Sequence, residues 1–123
     1  MDEYTDVIGI DELEPGAMIK LVAGDHTVLL VRVGESVYAT QARCPHLGGD
    51  LVKGTLQGVV LTCPLHGSQF DVTSGEVLRW TEWTAALGAI SEALRRPRPL
   101  RTYDVRVEAD RVLVGPEHPE TTE

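Results

Sequence analysis

Two six-residue stretches constrain this chain more than anything else in it. They are Cys44-Pro45-His46-Leu47-Gly48-Gly49 and, nineteen positions on, Cys63-Pro64-Leu65-His66-Gly67-Ser68. Together they hold both cysteines of the 123 residues and two of the four histidines. One cysteine beside a histidine means little, since a buried cysteine commonly serves as a small apolar residue. A second copy on a second turn changes that. In both, a proline after the cysteine removes a backbone donor and stiffens the loop, and glycine lets the backbone wrap closely round a bound group. Both follow β-rich segments, which give ligands a rigid base. Cys44, His46, Cys63 and His66 are therefore the candidate ligands of one metal group.

Two thiolates and two imidazoles suit tetrahedral zinc, which would act as a clip for the fold. Zinc modules usually group like ligands in pairs, with two to four residues between them. Here each turn mixes one sulfur with one nitrogen donor, with one residue between them in the first turn and two in the second. If each turn sends its cysteine to one metal and its histidine to another, a binuclear centre results. That is the donor set of a 2Fe–2S cluster in which two histidines replace two cysteines on one iron. Both readings stand at this level.

A chain of this length suits one domain with a modest core, and 42% hydrophobic residues is too many for a disordered chain. No apolar run approaches the roughly 20 residues that cross a bilayer. The acidic start lacks the basic and apolar regions of a signal peptide, so a cytoplasmic location is expected. There, two cysteines serve a metal or chemistry before a structural disulfide. The net charge of −8 argues against nucleic acid as the main partner. Charge is uneven, however: six carboxylates lie in the first fourteen residues, and six of the eleven basic residues lie between Arg79 and Arg106. That basic stretch is either a solvated surface or a docking face for a charged protein.

Short β-rich runs between turn signals predict strands at 5–10, 18–23, 27–33, 37–40, 59–62, 70–72, 103–107 and 111–114. Gly24-Asp25-His26 and Glu108-Ala109-Asp110 predict hairpin turns. One segment breaks the pattern. In 80–94, Trp83, Leu87, Ile90 and Leu94 recur at helical spacing, with Arg95 and Arg96 suited to the negative end of the dipole and Pro97 as the stop. An amphipathic helix at about 81–95 is expected. The domain is expected to span 1–115, with the metal loops at about 42–72 and a flexible tail at 116–123.

The spacing Cys44-x-His46, sixteen residues, then Cys63-x-x-His66 resembles the signature of Rieske 2Fe–2S proteins. The likeness extends through His46-Leu47-Gly48-Gly49-Asp50-Leu51, His66-Gly67-Ser68, Phe70-Asp71 and Gly75-Glu76-Val77-Leu78. It implies a mainly β Rieske fold of three layered antiparallel sheets, with the cluster at a tip between two loops. By the family pattern Cys44 and Cys63 bind the inner iron, and His46 and His66 bind the solvent-facing one. Pro45, Leu47, Gly48, Leu65, Gly67, Ser68 and Phe70 would surround and tune the cluster. Ser68 matches a serine that hydrogen-bonds a bridging sulfide in high-potential relatives. Phe70 stands where those relatives carry tyrosine, which implies a potential in the lower or middle part of the family range.

The respiratory type of Rieske protein carries an extra cysteine in each loop, absent here, and oxygenases append a long catalytic domain. The likeness is therefore to the stand-alone Rieske ferredoxin of aromatic-ring dioxygenase systems. It implies a soluble one-electron carrier without a catalytic site, fed by a flavin- or iron–sulfur-containing reductase and delivering to a terminal oxygenase. Alternatives are the small subunit of a larger oxidoreductase such as nitrite reductase, or a regulatory module clipped by the cluster or by zinc. The inserted 79–96 segment departs from the family pattern. It is expected to pack on the sheet or, through Arg95, Arg96 and Arg98, to dock a partner.

Overall fold

Turn chemistry sets the path of the chain. In the computed structural model, which describes residues 4–45, 48–64, 67–79 and 99–118, two-residue turns connect β2 (Met18–Ala23) to β3 (His26–Val33) and β3 to β4 (Ser36–Gln41). Another joins β9 (Thr102–Glu108) to β10 (Arg111–Glu117). With β1 (Thr5–Gly9) these strands form one antiparallel sheet in the order β1-β10-β9-β4-β3-β2. The sheet curls until its edge strands β1 and β2 come into contact. β4 and β9 pair directly, Ala39 with Tyr103 and Thr40 with Thr102. The whole stretch between them is thus an excursion from one strand pair. It carries a second sheet of β5 (Thr55–Gln57), β6 (Val60–Thr62), β7 (Gln69–Asp71) and β8 (Val77–Arg79), paired in chain order.

β3 explains how the two sheets hold together. Its apolar run buries both faces: Val28 and Leu30 enter a cluster with Ile8, Leu13, Val37, Tyr103, Val112 and Val114 inside the curled sheet. Leu29 and Val31, pointing the other way as strand alternation requires, enter a second cluster with Leu51, Leu61, Phe70, Val72, Leu100 and both cysteines. All four β3 side chains are fully buried, each worth about 1.5–3 kcal/mol relative to exposure. One strand is therefore a wall shared by the base and the metal-loop end.

Several expectations need correction. The first strand ends at Gly9, and Ile10–Glu12 is a 3-10 turn. β5 and β8 went unpredicted, because three residues with little burial leave no alternation to detect. Among the described residues the sheets number two: hydrogen bonding is continuous through all six base strands, so two of the three implied layers are one curled sheet. The tail expected to start at 116 is strand through Glu117. Pro116 falls where the β10–β9 register shifts between Val114 and Glu117, a bulge of the kind that tolerates proline. His118 then donates its N–H to the Thr102 carbonyl at 2.8 Å. His26, expected in a turn, opens β3 with its ring tilted against Tyr103, centroids 5.6 Å apart. The helix expected at 81–95 lies outside the described residues.

Candidate metal centre

The two Cys/His turns share one hydrogen-bond frame. In the first, the Cys44 N–H donates to the Gly49 carbonyl and the Gly48 N–H donates back to the Cys44 carbonyl, both at 2.8 Å. In the second, the Cys63 N–H donates to the Ser68 carbonyl at 2.8 Å and the Gly67 N–H to the Cys63 carbonyl at 3.3 Å. Gly48 and Gly67 have φ of 76° and 77°, in the left-handed region that glycine enters without penalty. The repeat in sequence is thus a repeat in conformation. What differs is the histidine, third in the first turn and fourth in the second.

Cys44 and Cys63 are both buried and meet in the same apolar cluster, over Leu51, Leu61 and Phe70. Phe70 and Ser68 are fully buried, Pro45 and Gly67 half-buried, and Gly48 exposed. His46, Leu47, Leu65 and His66 lie outside the described residues, as do Arg95, Arg96 and Arg98. Among the described residues no group of three or more histidine, cysteine or carboxylate side chains stands together.

Polar groups at the loops fit a bound sulfide-rich group. Ser68 Oγ is the buried side-chain polar atom without a hydrogen-bond partner among the described residues. The Gly49 and Ser68 N–H groups, on buried residues, donate to no backbone acceptor among those residues. Buried donors are rarely left unpaired, and each is in a loop that starts with a cysteine. Inorganic sulfide and thiolate are acceptors of the required kind.

The loops are braced by residues that sequence reasoning missed. Gln41, buried at the end of β4, accepts from the Arg101 N–H at 2.7 Å and donates to the Arg43 carbonyl at 2.6 Å. It clamps the stem where the excursion leaves and returns. Lys20 on β2 reaches Asp50 at 3.0 Å. That hydrogen bond, more than the charges of Lys20, Arg43 and Lys53, holds the Asp50 carboxyl below its ordinary value. Arg43 donates to the Gly48 carbonyl and Arg79 to the Gly67 carbonyl, each at 3.1 Å. Gly54 is a steric requirement, since a Cβ there would lie 2.1 Å from the Thr62 carbonyl oxygen, one residue before Cys63. Asp50 had a sequence signal through the motif, and Gln41 and Arg43 lie just before Cys44, whereas Lys20, Arg79 and Arg101 come from distant segments. Asp71, part of the motif likeness, holds the turn that follows β7: its carboxylate accepts from the Thr73 N–H at 2.8 Å.

This architecture, a curled six-stranded sheet carrying a small sheet with two such loops, is shared with the ferredoxin of carbazole 1,9a-dioxygenase from Nocardioides aromaticivorans IC177, at a TM-score of 0.76 and 30% identity over 92% of this chain and 97% of that one. A chain in the complex of reduced oxygenase and oxidized ferredoxin in carbazole 1,9a-dioxygenase matches with a TM-score of 0.76 and 28% identity, covering 95% of this chain and 97% of that one. The chain belongs to the Rieske family: the model of the Rieske [2Fe-2S] domain matches residues 3–103. Its cofactor is accordingly a Rieske-type 2Fe–2S cluster, and the zinc reading falls away. It is 33% identical over 118 residues to the ferredoxin component of biphenyl 2,3-dioxygenase from Rhodococcus jostii (strain RHA1), covering 96% of this chain and 97% of that protein. It is also 33% identical over 116 residues to the ferredoxin component of the alkene monooxygenase system of Xanthobacter autotrophicus (strain ATCC BAA-1158 / Py2), covering 94% and 83%. Among the described residues no helix is long and apolar enough to cross a membrane.

Proposed function

We propose that this chain is the ferredoxin component of an oxygenase system, a soluble one-electron carrier with no catalytic site of its own. Cys44 and Cys63 hold one iron and His46 and His66 the other, in a single Rieske domain. When bound, the cluster supplies reversible uptake of one electron at a potential raised by its two neutral imidazoles. The protein's part is to hold the two loops in one frame, to bury the cysteine side against Leu51, Leu61 and Phe70, and to offer hydrogen-bond donors from Ser68 and Gly49. The carrying observation is the matched pair of turns with both cysteines in one apolar cluster. Full-length likeness to ferredoxin components of a dioxygenase and a monooxygenase supports an oxygenase as electron acceptor. A flavin- or iron–sulfur-containing reductase in the same cytoplasm is the electron source.

Anaerobic purification followed by iron and sulfide analysis, absorption and electron paramagnetic resonance tests this. The expected result is a Rieske spectrum that disappears when His46 and His66 are both replaced. Iron-free protein, or a redox signal surviving the double replacement, would refute it. Electron delivery to an oxygenase is then assayed with Arg95, Arg96 and Arg98 changed to Glu. Slower transfer identifies the docking face, and an unchanged rate excludes those arginines from it.

A further inference from the structure

We propose that Arg43 and Arg79 are a matched pair of positioning residues that raise the reduction potential by fixing one peptide plane in each loop. The inference rests on the reading above, that these loops hold the cluster. Arg43 Nη1 and Arg79 Nε each donate at 3.1 Å to a carbonyl, that of Gly48 and that of Gly67. The two carbonyls are equivalent: each belongs to the fifth residue of its turn, with φ of 76° and 77°. The guanidinium groups arrive by unrelated routes, Arg43 from the position before Cys44 and Arg79 from β8, where it pairs with Gln69. Convergence on the same atom of two matching loops is what assigns them a shared role.

Peptide geometry supplies the consequence. Both arginines are exposed, so each draws its glycine carbonyl toward the solvent side. In a trans peptide the carbonyl and the following N–H point in opposite directions. The N–H groups thereby turned inward are those of Gly49 and Ser68, both buried and without a backbone acceptor among the described residues. Hydrogen bonds to cluster sulfurs favour the more negative, reduced state and are a main determinant of potential. Glycine with positive φ is also the residue freest to rotate its peptide, so an external clamp has a motion to suppress.

Redox titration of the holoprotein would compare wild type with Arg43→Met and Arg79→Met, which remove donor and charge. Arg43→Gln and Arg79→Gln keep a neutral donor, and Lys53→Ala removes a nearby charge. Each Met variant is expected to shift the redox equilibrium two- to tenfold toward the oxidised form, a tenfold change being about 59 mV for one electron. The shift persists in about 1 M salt, where exposed charges are screened within about 3 Å, and the Gln variants retain most of the wild-type potential. The Lys53→Ala shift disappears in that salt. Amide hydrogen exchange on the wild-type holoprotein is the second readout: Gly49 and Ser68 exchange slowly, Gly49 faster in the Arg43 variants and Ser68 faster in the Arg79 variants. Wild-type potentials in the Met variants, shifts that salt abolishes, or fast exchange in wild type would each overturn the proposal. A wild-type protein lacking the Rieske spectrum would instead overturn the functional reading beneath it.

Discussion

Ser68→Ala is expected to act in opposite directions on the protein with and without its cluster. The Ser68 side chain is fully buried, and its hydroxyl has no partner among the described residues. In the apoprotein that hydroxyl is a desolvated polar group, a cost of about 1–3 kcal/mol. Removing the oxygen leaves only a small void, so the apo variant should be more stable by about 1 kcal/mol. In the holoprotein the same hydroxyl has an acceptor, and its bond strengthens when the cluster gains negative charge. A preference of about 1.4 kcal/mol for the reduced form corresponds to a tenfold redox constant, or about 59 mV for one electron. Urea unfolding of the apoproteins and redox titration of the holoproteins measure the two effects. An apo variant less stable than wild type would show that the hydroxyl is already satisfied by protein. An unchanged potential would show that it does not face the cluster. Either result refutes the reasoning.

Three further outcomes follow from particular contacts. Gly54→Ala places a Cβ 2.1 Å from the Thr62 carbonyl. It should cost about 1–3 kcal/mol of stability and lower cluster occupancy, read by chemical unfolding and iron content; wild-type values for both would contradict the close approach. Phe70→Tyr adds the missing donor beside the cysteines and should raise the potential by up to about 59 mV; no change in a redox titration would confine this ring to packing. Asp50, held below its ordinary value of 3.8 chiefly by the Lys20 hydrogen bond, binds fewer protons folded than unfolded. Its contribution is complete above that value and is lost as pH falls through the folded pKa. The stability gap between wild type and Lys20→Met should therefore narrow below about pH 3.8 in urea titrations at several pH values; a constant gap would dismiss this ion pair.

The second sheet was only half legible beforehand. β6 and β7 are three-residue strands like β5 and β8, yet the β-rich runs 59–62 and 70–72 between turn signals mark them. β5 and β8 have no such marker and form because neighbours pair with them. The strand end at Glu117 was hidden for a related reason. Proline signals a stop locally, and only the bulge against Tyr103 and the His118 bond to Thr102 carry the chain past it.

The candidate centre divides along the same line. Ligand chemistry is local: a sulfur and a nitrogen donor must sit within a few residues on a turn that glycine can close, so the family resemblance is legible in the two short stretches and their flanks, while the donor set by itself leaves zinc and a 2Fe–2S cluster both open. The bracing is not local. Gln41 meets Arg101, Lys20 meets Asp50, and Arg79 reaches Gly67 only after folding brings separate strands together. Residue order alone determined that each loop offers one sulfur and one nitrogen donor. Tertiary structure decided which way their carbonyls, amides and the Ser68 hydroxyl face, because a peptide plane is oriented by whatever partner the fold delivers to it.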